Sequence, residues 1–500
     1  MYKRQDTRFR IASITKTFTT LALLQQHAAG NLSLEDSIDK YVHELQDKDD
    51  FSIPWKDITL RSLASQLSGI PRELAFSDLL TEVDDPTDLG LPIVSKKGLP
   101  TCDQYGSSGN PCERSDLIAR LKTTPPLYAP NQKSTYSNVA FELLGLAVEN
   151  VTGLAYEDVL AQNILNPIGM SNTSIVKPDD STGAIPNTPD NHWDYRLGVQ
   201  APTGALYTSP SDMSKYLRYI LTHYNGLTPS LNWLHPVSYA SSPSTFYGTP
   251  WEIFRTTRIL DPISRPTTFV TKGGNLNGYA SVIMLVPDYD IGITILVAGP
   301  PESLAKLKST VTVPLIRGVD ALVADDADKT YAGVYTSTDS ALNTSLTLAA
   351  SAAHGLEITS FISNSTDVLS ALAPFLLPAE VARSAWRAQL VPTLLYKNQS
   401  AVPPAGELWR STVVFNKGVD EAKNADVWDD ECITDEDKAM YAGMPLTEFV
   451  FWRDGEGEVE EVEASGFRVK MRKVEDKEAG QAESEMVKGR EDGAQAVLEQ

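Results

Sequence analysis

Cysteine is nearly absent from this 500-residue chain, which carries only Cys102, Cys112 and Cys432. So few thiols exclude a disulfide-dense scaffold and a four-cysteine zinc site. Histidine is scarce too. His27, His43, His192, His223, His235 and His354 show no metal-ligand spacing, and no His-Glu-x-x-His occurs, so no metal and no cofactor are expected. No run of 18 apolar residues appears, which argues against a membrane-spanning helix. Basic side chains are outnumbered, 43 against 65 acidic ones for a net charge of −22, so a nucleic-acid partner is not expected. Without Gly-x-Ser-x-Gly, a nucleophile elbow of the α/β-hydrolase type has little support. Gly273-Gly274-x-x-x-Gly278 lacks the Lys-Ser/Thr of a phosphate loop. Asp288-x-Asp290-x-Gly292 lacks the glutamate that closes a calcium loop, so it reads as a hairpin turn. The start, Met1-Tyr-Lys-Arg-Gln-Asp-Thr-Arg8, is too charged for a signal peptide.

The acidic excess is concentrated at one end: residues 420–500 hold 24 acidic and 10 basic side chains, leaving the remainder only mildly acidic. A hydrophobic content of 42% suffices for buried cores, and the length suggests two to four domains. Cys102 and Cys112 flank a Gly/Ser/Asn loop and are compatible with a short disulfide or with unpaired thiols; Cys432 is left over. Asn-x-Ser/Thr sites at Asn31, Asn150, Asn172, Asn343, Asn364 and Asn398 outnumber the roughly three expected by chance and lean toward a secreted protein.

The most informative residues are Ser13-Ile14-Thr15-Lys16, at the start of an apolar helical run. Residues three apart share a helix face, so the Ser13 hydroxyl and the Lys16 amine can meet. A serine hydroxyl attacks only when a neighbour takes its proton, and a lysine does so when burial or a nearby cation lowers its pKa. Tyr136-Ser137-Asn138 precedes a second apolar helical run from Val139, placing a phenol and an amide at a loop-to-helix junction. Phe269-Val-Thr-Lys272-Gly273-Gly274 reads as a strand ending in glycines, where a substrate can lie against the edge and a backbone N–H can face an oxyanion. A hairpin follows over residues 280–298 with its turn at Pro287 to Asp290.

The ordered set Ser-x-x-Lys, Tyr-x-Asn and Lys-x-Gly resembles the serine β-lactamase and penicillin-binding-protein superfamily. Its tyrosine-bearing second motif is similar to the class C β-lactamase, DD-peptidase and esterase branch, and in detail to secreted fungal β-lactamase-like proteins. The segments Gly30–Tyr41, Ile58–Pro71, Asn166–Met170 and Thr208–Asp212 also resemble that family, over roughly residues 5 to 320. The resemblance implies an α+β, β-lactamase/transpeptidase-like fold, an antiparallel sheet flanked by helices beside a helical subdomain. It implies Ser13 as the acylated nucleophile, Lys16 as its proton acceptor and Tyr136 as general acid/base. Asn138 is expected to position Lys16 and the substrate amide, and Lys272 to lie beside Tyr136, either lowering its pKa or holding a substrate carboxylate. The oxyanion hole is expected from the backbone N–H groups of Ser13 and Asn275, near Gly273 and Gly274. The family also favours a Cys102–Cys112 disulfide. The expected partner is a small ester, amide or lactam; a transesterase and a catalytically silent binding protein of the same fold remain as alternatives.

Along the chain, a catalytic domain is expected over residues 1–320, with the family's leading sheet strands apparently missing ahead of Ser13. Residues 75–125 read as an irregular insert, either a lid or wall at the cleft rim or a plain surface excursion. The segments around Asn191–Tyr195 and Tyr247–Trp251 are read either as cleft lining or as ordinary packing aromatics. A domain boundary is expected near 318–330. Short alternating segments then predict an all-β sandwich or barrel over 328–474, followed by a disordered acidic tail, 476–500.

Overall fold

A computed structural model of the chain describes residues 5–46, 52–73, 83–95, 97, 102, 110–227, 232–260, 265–339, 341–377, 385–416 and 439–474. It divides into two compact units, Met1–Ile316 and Arg317–Gln500. The acidic tail expected over 476–500 lies outside the described residues.

The first unit begins with a short strand, β1 (Phe9–Arg10), paired antiparallel with β2 (Tyr207–Thr208). Among the described residues no strand precedes it, and it does not join the main sheet. That sheet has six antiparallel strands in sequence order: β3 (Ser238–Tyr239), β4 (Thr245–Tyr247), β5 (Glu252–Leu260), β6 (Arg265–Leu276), β7 (Tyr279–Val286) and β8 (Ile291–Ala298). Every residue of β7 is buried, because the sheet is covered on both faces. Alternation along the strand separates the two sides. Ile283 and Leu285 join the large core shared with the helices. Val282, Met284 and Val286 join a second cluster with Ile316, against which Leu304 and Val313 of the Glu302–Tyr331 helix pack. The hairpin turn falls where the sequence puts it, with Asp290 in the left-handed region.

Two helices form the centre of the helical part. Thr15–Ala28 is buried over most of its length. Two of its threonines satisfy their buried hydroxyls on main-chain carbonyls: Thr17 Oγ1 donates to that of Ile14 and Thr19 Oγ1 to that of Pro202. Val139–Thr152 is the most apolar helix around it and ends on Gly153 in the left-handed conformation. Among the described residues of 75–125, where an irregular insert was expected, Arg114–Leu121 is a helix opened by a Glu113/Asp116 capping box. Within that region Cys102 and Cys112 are disulfide-bonded.

The second unit contains a closed barrel of antiparallel strands. Its elements are β9 (Gly333–Ser337), β10 (Ser345–Ser351), β11 (Gly355–Ser363), β12 (Thr366–Asp367), β13 (Trp386–Asn398) and β14 (Ala405–Phe415). They continue with the small pair β15 (Met440–Tyr441) and β16 (Met444–Pro445), then β17 (Glu448–Arg453), β18 (Val459–Ala464) and β19 (Val469–Lys473). The order β10-β9-β19-β18-β17-β14-β13-β11 closes because β11 also pairs with β10. Closure removes the exposed edges that a sandwich would keep. Phe361, Trp386, Phe449, Phe451 and Met471 fill the interior. The division between the units, at Ile316/Arg317, lies beside the boundary expected near 318–330 and falls within the helix Glu302–Tyr331.

Candidate active site

Ser13 sits in a single 3-10 turn, Ala12–Ile14, that feeds directly into the Thr15–Ala28 helix. Ala12 adopts φ +48°, a conformation that costs a residue with a Cβ about 1 kcal/mol. The turn is held on two sides. Ile11 N–H donates to the Leu206 carbonyl, and the Ile11 carbonyl accepts from Ser281 Oγ of β7 at 3.1 Å. Lys16, fully buried, donates from Nζ to Ser13 Oγ at 3.1 Å and to the Thr203 carbonyl at 2.8 Å. The three-residue spacing read from the sequence therefore produces the contact expected from it.

Tyr136 reaches the same atom, its OH donating to Ser13 Oγ at 2.8 Å. Its loop is clamped before the Val139–Thr152 helix begins. Thr135 N–H bonds the Gln66 carbonyl, Ser137 N–H bonds Gln66 Oε1, and Ser137 Oγ caps the helix at Ala140 N–H. Lys16 Nζ and Lys272 Nζ lie 5.2 and 5.1 Å from the centre of the Tyr136 ring, and the Arg72 guanidinium lies 4.7 Å from it. Hydroxyl, phenol and two amines thus meet around one point.

The third motif is more than a strand end: β6 runs on through the glycines to Leu276. Its pairing with β5 stops at Glu252↔Thr271, whereas its pairing with β7 continues to Leu276↔Tyr279. Residues 272–276 therefore present an unpaired edge to the cleft. Gly273 N–H points off that edge, where it donates to Glu252 Oε2 at 3.1 Å. By the two-residue period of a strand, Asn275 N–H faces the same way. Gly274 explains the proximity of strand and nucleophile, for a Cβ there would stand 2.0 Å from the Ile11 carbonyl oxygen.

Asn138 borders the cleft, as expected. Its Nδ2 donates to Glu73 Oε1 at 2.6 Å, while Lys16 takes its fixed acceptor from Thr203. Three further residues carried no sequence signal of their own: Thr203, Glu73 and Glu252. Glu252, at the start of β5, accepts from Lys272 Nζ at 2.7 Å through Oε1. Of the aromatic segments, Trp193 and Trp251 are packed in the interior, and Tyr247 lines the cleft. The cleft encloses about 600 Å³ and is bordered by Ser13, Tyr136, Asn138, Lys272 and Asn275 as well as Gln200.

Burial lowers the Lys16 pKa and the Lys272 cation adds to that, against an opposing pull from Tyr136. Burial by itself would raise the Tyr136 phenol, but Lys16 and Lys272 override it and leave the phenol below its ordinary value. Lys272 is also desolvated, yet Glu252 and Tyr136 hold its ammonium above the usual lysine value. The outcome is one amine biased toward the free base, one held as a cation, and an acidified phenol between them. Such a set can deprotonate a hydroxyl and return the proton to a leaving group. Among the described residues, no group of three or more His, Cys, Asp or Glu side chains is arranged to hold a metal ion.

A serine-lysine-tyrosine cluster on a mixed helix-and-sheet unit, joined to an all-β barrel, defines a class that known sequences share. The Beta-lactamase family model matches residues 3–313, and a model described as "Beta-lactamase-like-like, C-terminal domain" matches 323–475. The chain belongs to the Beta-lactamase family and has its β-lactamase/transpeptidase-like fold. "Probable hydrolase M10" of Phoma sp. is 34% identical over 486 residues, 94% of this chain and 78% of that protein. "Probable hydrolase clz13" of Cochliobolus lunatus is 32% identical, covering 94% and 79% of the two chains. Among solved structures, the β-lactamase/D-alanine carboxypeptidase of Yersinia pestis aligns at 21% identity and a TM-score of 0.45, covering 60% of this chain and 80% of that one.

Proposed function

We propose that the protein is a serine hydrolase that works through an acyl-enzyme on a small ester or amide. Ser13 Oγ attacks the carbonyl as Lys16, with Tyr136 beside it, takes the hydroxyl proton. The C–O or C–N bond then breaks, and the leaving group departs with that proton. Water, deprotonated by the same pair, cleaves the Ser13 ester and regenerates the hydroxyl. Backbone N–H groups of Ser13 and Asn275 would receive the oxyanion. The observation that supports this most is the convergence of Lys16 Nζ at 3.1 Å and Tyr136 OH at 2.8 Å on one serine oxygen.

The test is covalent labelling of the full chain with a fluorescent fluorophosphonate and a fluorescent penicillin. We expect label on the wild type and none on Ser13→Ala. Lys16→Ala should lose labelling nearly as completely; full labelling of that variant would assign deprotonation to another group. We also propose an exported protein, a reading supported by the Cys102–Cys112 bond, since such bonds persist in oxidising compartments.

A further inference from the structure

The anion-binding position of this cleft is already filled from within. Lys272 is the cation beside the nucleophile cluster, and Gly273 N–H is the adjacent backbone donor on the unpaired edge of β6. Together they make a fork suited to a carboxylate, one charged donor and one amide donor side by side. Glu252 occupies both prongs, Oε1 on Lys272 at 2.7 Å and Oε2 on Gly273 N–H at 3.1 Å. The fit follows from register: Glu252 pairs with Thr271, so its side chain needs to reach only one and two residues along β6. Its side chain remains 34% exposed and borders the cleft, so an entering molecule meets it directly.

The other cation next to the phenol is matched in the same way. Arg72 is ion-paired with Glu73 at 3.3 Å, and Glu73 also takes the Asn138 amide. Lys16 faces a hydroxyl and a carbonyl. An exposed lysine, Lys308, borders the cleft from the Glu302–Tyr331 helix rather than from the fork.

We infer that Glu252 is a specificity-determining residue, an internal carboxylate that closes the Lys272–Gly273 fork and selects acyl substrates that are neutral or cationic next to the scissile carbonyl. A substrate with a carboxylate there would have to displace Glu252 or sit against its charge, and like charges brought together select against that substrate. Chemically, this favours uncharged esters and amides over carboxylate-bearing lactams and peptides.

The inference rests on the acyl-enzyme reading, and a charge series of p-nitrophenyl esters separates the two. Three esters of similar length are compared with the full chain: butyrate, succinate with its free carboxylate, and 4-aminobutyrate. Turnover that disappears in Ser13→Ala supports acyl transfer itself; no Ser13-dependent release from any ester sinks both readings. For the inference, the wild type should favour butyrate and 4-aminobutyrate over succinate by about 30-fold or more in kcat/KM. Glu252→Gln, which keeps the shape and removes the charge, should shrink that ratio at least about tenfold by gaining succinate turnover. The ratio within one protein cancels any general loss of activity or folding. Equal use of succinate and butyrate by the wild type overturns the inference even if the variant does not fold, and an unchanged ratio in a folded Glu252→Gln does so as well.

Discussion

At the scale of single residues, the site is a contest between desolvation and neighbouring charge, and the signs differ from one group to the next. Among the described residues Lys16 has no carboxylate bonded to it, so burial wins and its amine moves toward neutrality; Lys272 has Glu252, so charge wins and it stays an ammonium. The base must be unprotonated to act. We therefore expect kcat/KM to rise with pH along an acid limb lying below the ordinary lysine range, measured with a neutral ester whose own ionisation is constant. Tyr136→Phe should retain the fold and cost about 100-fold or more in kcat/KM, the scale of a lost general acid/base. An unchanged rate in that variant would leave the 2.8 Å phenol contact without a catalytic role. Ser13, Lys16, Tyr136 and Lys272 were legible because their types and order constrain each other. Glu252 and Glu73 were not, for each is a lone glutamate whose partner is set by strand register or by a loop path that no local spacing encodes.

Among elements, the decisive relation is that of β6 to the turn carrying Ser13. The strand was visible in the sequence, and its termination at the glycines was expected. The structure extends it, because Gly274 allows close approach of backbone while the β7 ladder carries the pairing onward. The two glycines should then behave differently. At Gly273 an added Cβ meets nothing closer than Glu252 Oε2 at 3.5 Å, ordinary contact. At Gly274 it would strike the Ile11 carbonyl oxygen, which can move only with the nucleophile turn. Gly274→Ala should slow Ser13 labelling about 100-fold, the cost of roughly 1 Å of misplacement, and Gly273→Ala much less. Comparable labelling rates in the two variants would show that this contact does not set the site. The barrel was legible as short alternating strands, but its closure was not. Whether β10 returns to β11 depends on a hairpin pairing, and the alternating pattern is the same for a sandwich.

For the whole molecule, two observations bear on stability. Glu142, fully buried in the Val139–Thr152 helix, has its pKa pushed up to about 8 by desolvation, against a hydrogen bond from Gln200. An acid whose folded pKa is raised loses stability as pH climbs from its unfolded value toward the folded one. The wild type should therefore lose melting temperature between about pH 4.5 and 8, a window set by the two pKa values. Glu142→Gln, neutral throughout, should flatten that slope. Identical slopes in thermal melts of the two proteins would contradict the assignment. The second concerns the separate cores of the two units. Phe451 is wholly buried in the barrel interior, and Phe451→Ala should destabilise that unit by about 3–5 kcal/mol, the range for truncating a core aromatic. Calorimetry would register it as a shift in the barrel's transition; no shift would mean that the cavity collapses or that Phe451 is not packed as described.

The grip of the Thr203 carbonyl on Lys16 has an evolutionary corollary. A main-chain oxygen survives every exchange of side chain at its own position, so the base keeps its anchor while the surrounding wall is rewritten. Mutational drift can retool what enters this pocket without dismantling the device that arms the serine, whereas a change in chain length near residues 201–204 would unseat it.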